Sequence, residues 1–550
     1  MLRSKYLLLY FFLLISISAS SQDSVNKIKT PAKPKLVVGL VIDQMRWDFL
    51  YRYSDLYGAN GFKRLLNQGF SCENTFIPYT PTYTAPGHTC IYTGSVPAIH
   101  GIVGNNWFDK VSLTGIYCTD DSTAKTVGSD SKAGRMSPVN MFTTTITDEL
   151  RLSNNFKSKV IGIALKDRGA ILPAGHSANA AYWYDDKPGK WITSSYYMNK
   201  LPEWVNKFNA KDLPGTYMKN DWNTLFPISK YNSSDRDDNP YEKSMDGEKT
   251  VTFPHKLSQI TDKYKGFKST PFANTYTFDF SKAVIENEKM GSNDVTDFLT
   301  VSISSTDYVG HAFGPNSIET EDTYLRLDKD IADFLNFLDT KIGKGNYLFF
   351  LTADHGVAHV PGFLKEHKLP GGNVEDKELK TLLNQTVESA FGIKDIVANL
   401  QNYQVYINNE AIQKSGKDVA AVKALIIQIL KQHPAVITAF ELEKIAGTTL
   451  PELQKTMVTN GYNPKCSGDI QFIFKPGYFD GGSKGTTHGL WNPYDSHIPL
   501  LFFGWNIGQG KTNRETYMTD IAATIAALLH IQMPSGCVGK VISELTEGVK

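Results

Sequence analysis

Three histidines and three aspartates stand in short motifs with the donor chemistry of a metal centre. Asp307 and His311 are four apart in STDYVGH, a spacing that puts two side chains on one face of a helical turn. Asp354 and His355 are adjacent in TADHG. Neighbours in an extended strand point to opposite faces, so both reach one ion only where the strand breaks, and Gly356 marks such a break. His488 stands in GTTHGLW, again histidine followed by glycine. With Asp43, at the end of KLVVGLVID, these residues make a mixed nitrogen and oxygen set that suits zinc and also manganese. No Cys-x-x-Cys pair is present, so a structural zinc site lacks its usual ligands.

A second group has the chemistry of an anion receptor. Lys166 and Arg168 are two apart in ALKDRGA and project the same way from an extended strand. Arginine offers phosphate a bidentate fork and lysine a point charge; a solvated strand end is the plainer alternative. Asn105, in HGIVGNNW, either donates a side-chain amide or closes an Asx turn. Thr84 lies in TPTYTAPGHTCIYTG, just before Ala85, Pro86 and Gly87. Proline is favoured in the first turn of a helix, so Thr84 marks a loop-to-helix junction with free backbone N–H groups beside it. There a threonine is either an N-cap or a hydroxyl that meets an anion. Of the 12 histidines, His88, His100, His176, His359 and His497 also lie near these motifs. Each reads as structural, although HGVAH puts His359 four residues after His355 and makes it a competing ligand.

The elements that must position these residues are legible as apolar runs. KLVVGLVID (35–43), SKVIGIALK (158–166), DFLTVSISSTD (297–307), NYLFFLTAD (346–354) and HIPLLFFG (497–504) read as strands buried on both faces. Helical patterns over 317–340 and 517–531 alternate with them. The pattern predicts an α/β fold with a mainly parallel central sheet sandwiched by helices. Four of the runs end in Asp43, Lys166, Asp307 and Asp354. Ligands of open α/β sheets sit off the carboxyl ends of the strands, so the four should converge on one edge. An aspartate at a strand end is also an ordinary turn former. Residues 170–295 and 361–483 read as insertions, the first able to cap one side of the site. The second contains a helical stretch at 418–433 and a strand over 401–409.

Composition narrows the classes. A net charge of +1 gives no reason to expect nucleic acid or an anionic membrane as partner. A hydrophobic content of 41% is that of a globular chain. Arg3 and Lys5, the apolar run 6–17 and Ala19-Ser20-Ser21 read as a secretory signal over residues 1–21, cleaved before Gln22. An uncleaved anchor is the alternative, though the run falls short of the about 20 apolar residues a membrane span needs. Residues 22–34 read as a linker. A periplasmic or secreted location permits disulfides. Of the five cysteines, Cys90 is expected free and buried, with Cys72–Cys118 and Cys466–Cys537 as the pairs on offer.

Taken in order, VVGLVIDQMRWD, PTYTAPGHTCIYTG, HGIVGNNWFD, ALKDRGA, SSTDYVGHAFGP, LTADHG and GTTHG resemble the alkaline phosphatase superfamily. The resemblance is greatest to its phosphate-irrepressible PafA-type monoesterases, with the nucleotide pyrophosphatase/phosphodiesterases next. It spans residues 36–489 and implies one alkaline phosphatase-like catalytic domain over 35–550. It implies two zinc ions per chain. Asp307, His311 and His488 would hold one; Asp43, Asp354 and His355 would hold the other, with Thr84 as the nucleophile bound to it. Asn105, Lys166 and Arg168 would hold the non-bridging phosphoryl oxygens, and the lysine–arginine pair is the monoesterase feature. Sulfatases of the superfamily carry C/S-x-P-x-R; here Thr84 stands at that position and the arginine is missing. The implied reaction is hydrolysis of small phosphate monoesters through phosphothreonine, releasing inorganic phosphate, by a monomer with no stable membrane span once the signal is cleaved. A phosphodiesterase or nucleotide pyrophosphatase on the same core is the alternative.

Overall fold

Seven consecutive buried residues, Leu36–Ile42, form strand β1 at the middle of the main sheet. The computed structural model describes residues 33–546; the expected signal peptide and nearly all of the expected linker lie outside them. Helix α1 follows at Thr84–Thr93, β2 at Val160–Ala164 and α2 at Asp167–Ala174. Strands β3 and β4 are Ala180–Asp185 and Lys190–Ser194, and helix α3 is Phe272–Asn287. Then come β5 at Asp297–Ile303, α4 at Ser305–Phe313, α5 at Ile318–Leu338 and β6 at Tyr347–Thr352. Strands β7 and β8 are Val397–Gln401 and Gln404–Ile407, α6 is Val419–Gln432, and β9 and β10 are Val436–Glu441 and Ile470–Phe474. Strand β11 is Leu500–Gly504 and helix α7 is Asp520–Leu529.

The ten-stranded main sheet runs Gly510–Thr512, Phe70–Cys72, β11, β6, β1, β5, β2, β3, β4, Thr126–Val127. Its centre, from β6 through β3, is parallel. Runs of Val, Ile, Leu and Phe buried on both faces force this arrangement, because helices must cover each side. The strands flanking that centre are antiparallel, with β11 on β6 and β4 on β3, while the outermost pair, Phe70–Cys72 and Gly510–Thr512, is parallel. The run at 497–504 is therefore two pieces: His497–Ile498 joins a separate small sheet and only β11 joins this one. Register sets the chemistry. Val41 pairs with Ser302 of β5 and with Thr352 of β6, and Ser302 pairs with Ala164 of β2, so four strands end at one level.

Two expected boundaries change. The segment 170–295 is in part core: β3 and β4 extend the main sheet, and Phe278, Phe280 and Val284 of α3 join its apolar cluster. Strand β3 reads AAYWYD, and its tyrosines and tryptophan are buried rather than a sign of surface. The segment 361–483 contains its own four-stranded sheet, in the order β7, β8, β10, β9, over a separate cluster that includes Leu383, Val405, Ile426 and Phe472. The single strand expected over 401–409 is a hairpin, because Asn402 and Tyr403 both take φ 59° and turn the chain back.

All five cysteines are free thiols, so neither expected disulfide forms. Cys72 lies in the main core, while Cys118 and Cys466 share another apolar cluster. Cys90 is free and buried, in agreement with expectation.

Helix α1 crosses close behind the end of β6. A Cβ on Gly87 would stand 2.5 Å from the Asp354 carbonyl oxygen, and backbone cannot step aside as a flexible side chain can. Gly87→Ala should lower the unfolding free energy by about 1–3 kcal/mol, read from denaturant titration. An unchanged midpoint would mean that the helix can back away freely.

Candidate active site

The flush strand ends deliver three aspartates to one place. Asp43 follows β1, Asp354 follows β6, and Asp307 follows β5. Asp307 is not a strand-end residue as the run 297–307 suggested: β5 stops at Ile303 and Asp307 lies in the first turn of α4. That turn puts His311 beside it, with Nε2 3.2 Å from Asp307 Oδ1. His488 Nε2 lies 3.6 Å from the same oxygen. Across the edge, His355 Nε2 lies 3.5 Å from both Asp43 Oδ1 and Asp354 Oδ2. The rings of His355 and His488 stack with centroids 3.5 Å apart, so the two groups adjoin.

Thr84 is the first residue of α1, one place beyond the cap position, which Tyr83 holds. Its hydroxyl makes no capping bond and lies 3.4 Å from His355 Nε2. The next backbone N–H, from Ala85, donates to Asn105 Oδ1 at 2.9 Å, which leaves the Asn105 amino group as a donor. Lys166 and Arg168 do not share a strand: β2 ends at Ala164, Lys166 caps α2, and Arg168 is in its first turn. Lys166 Nζ bridges Asp43 Oδ2 and Asp307 Oδ2 at 2.6 Å each. Arg168 Nη1 donates to the Tyr117 hydroxyl at 3.1 Å, and that hydroxyl donates to Asp167 Oδ1 at 2.6 Å. Arg168 Nε is buried without a partner, an unused donor.

The donor set fits metal ions. The Nδ1 atoms of His311, His355 and His488 lie 2.8, 3.0 and 2.7 Å from the carbonyl oxygens of Thr486, Gly356 and Thr82. A carbonyl can only accept, so each Nδ1 carries hydrogen and each Nε2 presents its lone pair. Burial pushes His355 down to about 3 and lowers His488, which keeps both rings neutral ligands. Asp43 Oδ1 and Asp354 Oδ2 are buried with no hydrogen-bond partner, an arrangement that is costly without a cation. Burial and the neighbouring Asp354 push Asp43 well above the usual carboxylate range. Burial opposes ionisation of Asp307 too, but His311 and Lys166 hold it well below that range. In each of the groups Asp307–His311–His488 and Asp43–Asp354–His355, ligand atoms lie within 4.8 Å of one another. Three carboxylates against Lys166 and Arg168 leave an excess negative charge, which would repel an anionic substrate unless cations bind.

Some contributors were not foreseen. Gln44 ties the two groups together: its N–H donates to Asp354 Oδ1 at 3.1 Å and its Nε2 to Asp307 Oδ1 at 2.8 Å. It does so from φ 66°, and a Cβ on Gly310 would meet its Oε1 at 1.9 Å. The only signals in the sequence were its place after Asp43 and a glycine before His311. His88 lies one helical turn after Thr84 and touches the Thr84 carbonyl at 2.9 Å, Ser302 Oγ at 2.8 Å and Asp354 Oδ2 at 3.3 Å. His359 instead joins Arg46 and Asn316, away from either group. His100, His176 and His497 bond to backbone at Ile102, Met141 and Glu73.

Comparison with known proteins bears on this arrangement. The family model for type I phosphodiesterase / nucleotide pyrophosphatase matches residues 37–496. Alkaline phosphatase PhoV of Synechococcus elongatus is 53% identical over 99% of this chain and 100% of that protein. A calcium-transporting ATPase of Myroides odoratus is 54% identical over 94% of this chain and 95% of its own. Alkaline phosphatase PafA of Elizabethkingia meningoseptica is 51% identical over 97% and 98%. The crystal structure of wild-type PafA has a TM-score of 0.92 at 52% identity, covering 94% of this chain and 99% of that one. The chain belongs to the type I phosphodiesterase / nucleotide pyrophosphatase family and, within the alkaline phosphatase superfamily, to the group that contains PafA and PhoV.

Proposed function

We propose that this protein is an alkaline phosphatase that hydrolyses phosphate monoesters of broad structure and releases inorganic phosphate. The observation that carries the reading is the Thr84 hydroxyl at a helix start, beside the Asp43–Asp354–His355 group and across the edge from Lys166 and Arg168. The relatives named alkaline phosphatase along the full chain support it. We assign Asp43, Asp354 and His355 to one zinc ion, with Thr84 beside it, and Asp307, His311 and His488 to a second. Zinc bound there would lower the pKa of an oxygen it holds and offset charge on attacking and leaving oxygens. The demand is large, since accelerations of monoester hydrolysis reach about 10²¹.

The chain's own residues do the rest. Thr84 Oγ attacks phosphorus, the Thr84 O–P bond forms, and the ester P–O bond breaks with release of the alcohol. Water then attacks phosphothreonine from the vacated side, phosphate departs and the Thr84 hydroxyl is restored. The loose transition state spreads charge over the equatorial oxygens. Asn105 and Arg168 donate to them, and Lys166 brings its charge to the same edge. Tyr117, itself bonded to Asp167, holds the Arg168 guanidinium and leaves its Nε an unused donor. A monoester dianion gains more from the lysine–arginine pair than a diester monoanion, which is why the diesterase reading ranks second. No described helix is long and apolar enough to cross a membrane. Export and a monomeric state belong to the same proposal, and cell fractionation and size-exclusion chromatography measure them.

Thr84→Ala should lower kcat by about 10³-fold or more, measured on an aryl phosphate. Activity close to wild type would rule out the nucleophile. Replacing Lys166 and Arg168 together by alanine should cut hydrolysis of the aryl phosphate far more than that of its methyl diester; equal losses would remove their assigned role. Chelation should abolish activity and added zinc restore it, with two zinc ions per chain by metal analysis. Restoration by manganese alone would reassign the metal.

A further inference from the structure

Beside the backbone of His355 and His488, the short turn Pro493–Ser496 buries a carboxyl group that the proposed chemistry does not use. Asp495 is wholly without solvent, and burial pushes it well above the usual carboxylate range. Its Oδ1 has no hydrogen-bond partner. A carboxyl so placed is costly, and an apolar side chain would avoid the cost. What Asp495 does touch is specific. Its Oδ2 accepts from the Leu490 N–H at 2.9 Å, two residues after His488. A carboxyl oxygen can accept in either protonation state.

The same turn holds the other histidine loop through its main chain. Gly356 N–H donates to the Asp495 carbonyl at 2.8 Å and Val357 N–H to the Tyr494 carbonyl at 2.9 Å. The approach is close, since a Cβ on Gly356 would stand 2.2 Å from the Tyr494 carbonyl oxygen. The two loops also meet directly, with Ala358 N–H donating to the Thr487 carbonyl at 3.1 Å. Leu490 is held on its other side too, where its carbonyl accepts from Thr82 Oγ1 at 3.0 Å. His355 belongs to one metal group and His488 to the other, and their rings stack at 3.5 Å. The main-chain bonds do not depend on which side chains stand at 494 and 495. The bond from Leu490 to the Asp495 carboxyl does.

We infer, on the two-metal phosphatase reading, that Asp495 is a positioning residue. It fastens the His488 loop to the turn that already carries the His355 loop, and so sets how the two metal groups stand to each other. Without the carboxyl, the buried Leu490 N–H loses its partner. Gly489, at φ 122°, then loses a bond that fixes a conformation glycine can easily leave. His488 keeps its bond to the Thr82 carbonyl, but the backbone that aims the ring is no longer held from both sides. Partners that orient metal ligands from one layer out typically change metal affinity or activity by about 10–100-fold when removed.

The test uses the full-length mature protein, loaded with zinc or with cobalt(II). Wild type should bind two zinc ions per chain and hydrolyse an aryl phosphate. Asp495→Leu should weaken zinc binding by about tenfold or more in chelator competition, lower kcat at saturating zinc with KM little changed, and shift the visible spectrum of the cobalt(II) protein. Asp495→Asn keeps an oxygen for Leu490 and should return all three readouts to wild type. If Asp495→Leu does not fold, Asp495→Ser keeps the place polar, falls one bond short of Leu490 and should move the same readouts. A role in packing alone would lower the thermal midpoint and leave zinc affinity, kcat and the cobalt(II) spectrum of the folded variants unchanged, and that result overturns the assignment of Asp495. An Asp495→Asn protein as impaired as Asp495→Leu overturns it as well, because charge rather than an acceptor would then matter. A wild type that binds no zinc overturns both this assignment and the metal reading. A wild type that binds two zinc ions but hydrolyses no ester refutes the phosphatase reading alone, and the zinc affinity and spectrum of the variants then decide the role of Asp495.

Discussion

Three carboxylates buried together at the carboxyl edge of a parallel sheet are the constraint on which the rest of this structure depends. Asp43, Asp307 and Asp354 are each almost without solvent, and each raises the cost of ionising the next. Nothing in a hydrophobic core would tolerate them without compensation. The compensation comes in layers: Lys166 between two of them, Gln44 donating to two, and three histidines oriented by backbone carbonyls. Each layer removes part of the charge or fixes a lone pair, and what remains unpaired is an opening shaped for cations.

Rigid elements make that arrangement affordable in conformational terms. The strands β6, β1, β5 and β2 end at one level, so short connections suffice to bring the aspartates together. Helix α1 then approaches β6 closely enough that Gly87 has no room for a side chain, which sets the Thr84 hydroxyl against His355. One hairpin, Asn106–Asp109 with Thr114–Tyr117, starts next to Asn105 and ends at Tyr117. It places Asn105 directly and holds Arg168 through the tyrosine hydroxyl. Side chains from separate segments are thereby tied to a single two-stranded unit.

Much of this was legible in the sequence, for a specific reason. An apolar run that ends in a charge encodes both the buried strand and the edge where it stops, so Asp43 and Asp354 were placed correctly by pattern alone. Asp307 was legible as a partner of His311, by spacing, but its run hid the change from strand to helix at Ser304. Composition misled where aromatic residues were buried: AAYWYD is a core strand. The pair Asn402-Tyr403 does not look like a turn, since tyrosine rarely takes positive φ, and so a hairpin read as one strand. Gln44 and Tyr117 act through contacts made by residues far apart in the chain, which no local pattern records. Cysteine spacing carries no distance, and Cys118 lies with Cys466 rather than with Cys72.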